Sequence, residues 1–175
     1  PYFNNFLKNI PTLKSLAKVN ETKLLKYWQG LGYYSRAKNL KKSARLIISN
    51  YNGRLPSDYD ELKKLPGIGD YTAGAISAIA FNKNVIPLDG NIERVLKRIL
   101  NLKTDEEIKK ENLHNEKKIF GRTSRSSDYV QALMEIGALL CKPKNPNCEK
   151  CPITKYCLSF KRQDFEIKKK NKKII

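Results

Sequence analysis

Four cysteines, Cys141, Cys148, Cys151 and Cys157, are the only ones in a chain of 175 residues, and they fall within 17 of them as C-x6-C-x2-C-x5-C. Three prolines, Pro143, Pro146 and Pro152, stand between the thiols. Proline lacks the N–H that a helix or sheet ladder needs, so the segment is expected to be a loop held by something other than its own backbone. No signal-peptide pattern opens the chain, and clustered thiols without one favour metal over disulfides. Thiolates are the preferred ligands of both zinc and iron–sulfur clusters. The residues alone leave both open, although zinc ribbons usually carry two C-x2-C knuckles and this chain has one.

The remainder reads as helices. Tyr2, Phe3, Phe6, Leu7 and Ile10 repeat at helical spacing, as do Leu24, Leu25, Trp28 and Leu31 behind an Asn20 cap, giving two helices before residue 32. Ala37, Leu40, Ala44, Ile47, Ile48 and Tyr51 mark a longer helix stopped by Gly53. Ser57 with Asp60 suggests a capping box ahead of Tyr59, Leu62 and Leu65. Further stripes are Thr72, Ala75, Ile76, Ile79 and Ala80; Ile92, Val95, Leu96 and Ile99; and Tyr129, Ala132, Leu133, Ile136, Leu139 and Leu140. Trp28 and Met134 sit on stripes and are expected in the core. Residues 101–127 promise only a looser helix and a loop, with His114 exposed. No alternating strand is present, so the expected fold is all-α with short connections. A composition change at Ala80 to Pro87 suggests two lobes, 1–85 and 86–160, followed by a basic tail, 161–175.

Lys and Arg number 35 against 17 Asp and Glu, a formal charge of +18. The tail holds seven basic and two acidic residues, which leaves +13 on the rest. So large an excess implies a polyanionic partner, commonly nucleic acid, unless a lysine-rich composition has simply coated every surface. No apolar run approaches the ~20 residues of a membrane span, so a soluble, intracellular monomer is expected, cytoplasmic and nucleoid-associated if bacterial.

Three motifs suggest chemistry. Leu65-Pro66-Gly67-Ile68-Gly69-Asp70 joins two expected helices, and such a turn lets amide N–H groups and a helix N-terminus face an anion. It could equally be a tight helical corner. Asp89, ahead of the helix that begins near Ile92, is either an ordinary N-cap or a functional carboxylate. Gly30-Leu31-Gly32-Tyr33-Tyr34-Ser35-Arg36 is either a packed corner or an aromatic wedge able to enter a base stack.

The hairpin from about residue 57 to 81, with Tyr71-Thr72-Ala73-Gly74-Ala75-Ile76 after its glycines, resembles the helix-hairpin-helix of DNA repair glycosylases. The cysteine spacing resembles the 4Fe-4S loop of the endonuclease III and MutY group, over residues 141–157. These likenesses run from Pro1 to about Phe160. They imply a two-lobed glycosylase fold, with a six-helix lobe incomplete at its N-terminus and an iron–sulfur lobe. By the same resemblance Asp89 stabilises the sugar cation as the base departs, a role suited to a carboxylate beside an oxocarbenium-like transition state. Tyr33 becomes the wedge that fills the gap left by a flipped nucleotide, with Leu31 and Arg36 as further DNA-binding residues. Leu65, Gly67, Ile68 and Gly69 become the DNA-binding turn, with a monovalent cation there.

Two positions separate the branches. Endonuclease III carries its Schiff-base lysine where this chain has Tyr71, and Gly90-Asn91 after the aspartate is similar to MutY rather than to the Thr-His of endonuclease III. The chain therefore resembles the adenine DNA glycosylase (MutY) family. That implies a monofunctional enzyme acting on duplex DNA with adenine opposite 8-oxoguanine or guanine, with Tyr71 and Asn91 supporting the active site. The resemblance places the catalytic acid on a helix before Pro1 and an 8-oxoguanine-sensing domain after the basic tail. On that expectation these 175 residues would bind DNA and hold a cluster yet catalyse poorly or not at all. One departure is Val130, where the family usually has Asn. The competing readings are an endonuclease III-like lyase for oxidised pyrimidines and a non-catalytic DNA-binding module.

Overall fold

The computed structural model describes residues 1–104, 107 and 123–166. His114, most of the polar 101–127 stretch and the tail beyond residue 166 lie outside the described residues. Those described are helical, without strands, and the fold is all-α as expected. Contacts divide the chain into Pro1–Ala73 and Gly74–Ile175, so the division falls inside a helix upstream of the composition change at residues 80–87. None of the described helices is long and apolar enough to cross a membrane.

The first unit contains α1 (Tyr2–Asn9), α2 (Leu13–Lys18), α3 (Glu21–Trp28), α4 (Ser35–Asn50), α5 (Tyr59–Lys63) and the start of α6 (Asp70–Ile79). Three helices precede residue 32, not two. The extra one, α2, spans only six residues and is fixed by a reciprocal cap: Thr12 Oγ1 accepts from Ser15 N at 3.0 Å while Thr12 N donates to Ser15 Oγ at 3.0 Å. It buries Leu16 and Ala17 against α4, where Arg45 Nε also donates to Ala17 O at 3.0 Å. Asn20 caps α3 as expected, accepting from Lys23 N at 2.7 Å. The cap of α5 is Asp58 rather than Ser57, because its Oδ1 takes both the Asp60 and Glu61 amides at 3.0 Å. Ile10, Leu16, Leu24, Ala37 and Ala44 form the core, with Trp28 packed on its edge against Phe6.

The second unit is built on α7 (Gly90–Leu100), against which pack α8 (Ser126–Glu135), the turn that follows it, and α9 (Leu158–Lys161). Ile86, Ile92, Val95, Leu96, Val130 and Leu133 are its buried core, with Met134 packed on it. Val130 is fully buried, so the residue that departs from the family pattern takes an apolar seat.

The stripe from Tyr129 to Leu140 is not one α-helix. Beyond Glu135 the backbone widens into a π turn over Ile136–Leu140, closed by Cys141 N donating to Ile136 O at 2.7 Å. The wider turn breaks the 3.6-residue register, and Leu139, expected inside, is 65% exposed.

Candidate functional site

The hairpin turn is braced within its own unit. Leu62 and Leu65 are buried, so Leu65 can offer a ligand only its backbone. Gly67 has φ +82°, and a Cβ there would lie 2.9 Å from Asn39 Cβ, which ties glycine to the position by both conformation and space. Ile68 N closes the turn onto Leu65 O at 3.1 Å, and the Ser43 hydroxyl donates to Pro66 O at 2.8 Å. Gly67 and Gly69 are exposed, and backbone bonding among the described residues leaves their amides unused. Gly69 O starts α6 by accepting from Ala73 N at 2.9 Å. Across the turn, Lys63 Nζ lies 2.6 Å from Asp70 Oδ1, which also accepts from Tyr59 OH at 3.1 Å. Burial first, and then the Asp70 carboxylate, push the Tyr59 phenol above its ordinary pKa. Tyr71 is 44% exposed.

The loop between α3 and α4 presents Tyr33, 82% exposed and held at φ +44°, an unusual conformation for a non-glycine residue. Arg36 stiffens it: its guanidinium stacks 5.6 Å from the Trp28 ring and 5.7 Å from the Tyr33 ring, and Nη2 donates to Leu31 O at 3.0 Å. Trp28 Nε1 donates to Gly32 O at 3.0 Å. A planar, solvent-facing ring on a cross-braced loop is what an intercalating wedge requires.

Asp89 caps α7, so the ordinary reading of this residue holds, but only one carboxylate oxygen is engaged by it. Oδ1 accepts from Asn91 N at 2.9 Å and Ile92 N at 2.7 Å. Among the described residues Oδ2 has only Asn91 Nδ2, at 3.5 Å. The helix N-terminus thus fixes a carboxylate whose second oxygen is available to a developing cation.

Arg94, which the sequence reading does not single out, joins this turn to the cysteine loop. Nε donates to Cys141 O at 2.7 Å, Nη1 to Gly90 O at 3.1 Å, and Nη2 to Asn91 Oδ1 at 2.9 Å and Gly137 O at 2.7 Å. Gly137 allows the approach, since a Cβ there would stand 2.8 Å from Asn91 Cβ and 3.2 Å from its backbone. Asn91 therefore supports Asp89 and is itself held by Arg94.

All four cysteines line one apolar cavity, with Val95, Arg98, Ile99, Ile136 and Phe165 among its walls. The loop is shaped by its own bonds: Asn147 N to Leu140 O at 2.9 Å, Cys151 N to Cys148 O at 3.2 Å, and Thr154 Oγ1 to the carbonyls of Cys148 and Cys151 at 2.6 and 2.8 Å. Burial first, and then the negative charge of Cys141, Cys157 and Cys151, raise the Cys148 thiol, with Arg98 opposing. Four thiolates converging on an apolar space need cationic metal to be stable there. Among the described residues no group of three or more His, Cys, Asp or Glu is arranged to hold a metal ion. Four thiols lining one apolar cavity are nonetheless the soft donor set that zinc and iron–sulfur groups both take.

The profile of the HhH-GPD superfamily of base excision DNA repair proteins matches residues 1–119, and that of the iron–sulfur binding domain of endonuclease III matches residues 141–157. The four cysteines are thus consistent with a 4Fe-4S cluster. The chain is 39% identical to an adenine DNA glycosylase of Buchnera aphidicola subsp. Baizongia pistaciae over 177 residues, covering 100% of this chain and 50% of that protein. It is 35% identical to the adenine DNA glycosylase of Homo sapiens over 168 residues, covering 94% of this chain and 31% of the other. Among solved structures, a non-covalent endonuclease III–DNA complex superposes with a TM-score of 0.74 at 27% identity, covering 93% of this chain and 75% of that one. A thermostable thymine-DNA glycosylase gives 0.71 at 28% identity, covering 92% and 75%. The chain spans about half the length, or less, of the curated relatives it matches.

Proposed function

The chain belongs to the HhH-GPD superfamily of base excision DNA repair proteins, and from that premise we propose that its whole protein removes adenine mispaired with 8-oxoguanine or guanine in double-stranded DNA. The reaction is hydrolysis of the N-glycosidic bond without strand cleavage. The observation that carries the substrate choice is similarity to adenine DNA glycosylases along the entire chain. It is joined by Tyr71 at the position where a lyase would need an amine to form a Schiff base. Similarity to an endonuclease III–DNA complex supports DNA as the partner, and a DNA repair role implies a protein inside the cell.

In this reading the exposed turn at Gly67 and Gly69 grips the DNA backbone, and Tyr33 occupies the stack when the adenine leaves it. Asp89, anchored through Oδ1, sets Oδ2 against the cation that forms on the sugar. The cluster, when bound, supplies a cross-link that holds the 141–157 loop and carries no electron in the hydrolysis. The loop offers Lys142, Lys144, Lys150 and Lys155 to phosphate.

The test is a single-turnover assay of the whole protein on duplexes with adenine opposite 8-oxoguanine, with and without alkali. Adenine release, with strand breaks only after alkali, is the expected result. Breaks without alkali at an oxidised pyrimidine would establish the lyase reading, and binding with no base release from any duplex would leave a DNA-binding module.

A further inference from the structure

The guanidinium of Arg98 is buried more deeply than its visible partners explain. The residue is 5% exposed and lines the cavity that the four cysteines share. Nη1 donates to Lys142 O at 2.7 Å and lies 3.4 Å from Cys141 Sγ, while Nη2 donates to Pro143 O at 2.9 Å. Phe165 covers the group, its ring 5.9 Å from the guanidinium carbon. Nε is fully buried with no hydrogen-bond acceptor. Among the described residues no carboxylate forms an ion pair with Arg98, whereas Lys97 on the same helix has Glu93 at 2.6 Å. Arginine cannot shed its proton to escape burial, and a buried charge without a counter-charge is strongly unfavourable. The carbonyls of Lys142 and Pro143 account for the two terminal nitrogens as a brace for the loop, but they leave both the net charge and the Nε–H unexplained.

We propose that Arg98 is the counter-ion of the iron–sulfur cluster and a hydrogen-bond donor to its sulfur, using the buried Nε–H and the Nη1–H that already lies against Cys141 Sγ. A 4Fe-4S cube in its resting state with four thiolates is a dianion, so its presence neutralises the charge that the protein alone leaves unmatched. Arg98 touches no substrate and acts as a positioning and tuning residue. A fixed positive charge and N–H···S bonds favour the more negatively charged oxidation state of the cluster. They therefore raise its reduction potential and slow its oxidative loss. The inference requires the iron–sulfur assignment and is independent of which base the enzyme removes.

The test uses the whole protein with Arg98→Met and Arg98→Lys. Iron and acid-labile sulfide in the unaltered protein come first: stoichiometric zinc in their place would overturn the metal assignment and this proposal with it, whatever the glycosylase assay gives. In holoprotein whose helicity by circular dichroism is unchanged, Arg98→Met is expected to shift the cluster midpoint potential to more negative values. It is also expected to bleach in air about 10- to 100-fold faster, the usual size of an outer-shell effect. Arg98→Lys, which keeps the charge but loses the fork, is expected to recover part of both. A wild-type potential in the Met holoprotein overturns the proposal, since a residue that only braced the loop would change cluster retention and leave the potential alone. Should the Met variant accumulate no holoprotein, the Lys variant decides by the same criterion: a negative shift supports the proposal and a wild-type potential overturns it.

Discussion

The two oxygens of Asp89 have separable roles, which makes the residue testable without unfolding anything. Oδ1 holds two amides at the start of α7, and Oδ2 takes neither of them. Asparagine caps a helix about as well as aspartate, so Asp89→Asn should keep the melting temperature and the DNA affinity. It should nonetheless lower single-turnover base release by at least about 10²- to 10³-fold, the scale of losing one electrostatic stabiliser. Asp89→Ala should lose the same activity and in addition about 0.5–2 kcal/mol of stability with the cap. Equal base release by the wild-type protein and the Asp89→Asn variant would return the residue to a purely structural role. The sequence singles out Asp89 through its resemblance to the glycosylase motif, with Gly90-Asn91 after it. It does not single out the arginines of α7, because arginine on a helix ordinarily means a solvent-facing side. Arg98 is buried here where Lys142 and Pro143 of the cysteine loop and Phe165, beyond α9, lie against it.

At the scale of elements, the transition from α8 to the π turn is where local pattern and tertiary contact disagree. Apolar periodicity continues through Leu140, yet Arg94 draws the carbonyls of Gly137 and Cys141 toward α7, and the backbone takes the wider turn. No periodicity argument contains that pull, so the pattern places Leu139 inside while the fold leaves it outside. The short α2 escapes the pattern for a related reason: six residues give too little stripe, and its definition lies in the Thr12–Ser15 cap. Helices whose stripe runs over two or more turns, such as α4 and α7, are legible because burial of one face dominates them. The π turn yields its own prediction. Gly137→Ala places a methyl 2.8 Å from Asn91 Cβ and 3.2 Å from Asn91 backbone, where neither neighbour is a flexible tip. The expected cost is about 1–3 kcal/mol in thermal or denaturant unfolding. Base release should also fall, because Asn91 is the group that positions the second oxygen of Asp89. A variant with wild-type stability would mean that α7 and the turn part more easily than their hydrogen bonds indicate.

For the molecule as a whole, the cluster loop and the charge decide how DNA is held. Cys148→Ser removes one of four thiolates from a loop otherwise tied by its own bonds and, at Cys141, Lys142 and Pro143, by Arg94 and Arg98 of α7. Visible absorbance, iron content and DNA affinity should fall together, while the first unit, with a core of its own, keeps its helices by circular dichroism. Retained affinity in a colourless protein would confine DNA binding to the hairpin unit. The charge of +18 makes a quantitative claim about the same complex. If it reflects phosphate recognition, binding releases counterions, and a contact set of about six phosphates loses about 10³-fold in affinity between 50 and 200 mM salt. Removing residues 167–175 deletes five lysines and no acid, leaving +13, so most of that salt dependence should survive the deletion if the folded units form the DNA face. A log–log slope that collapses to near zero on deletion would place the polyanion contact in the tail. A slope already flat in the full chain would make the lysines a general surface coating, with no DNA-binding face for the turn at Gly67 and Gly69 to belong to.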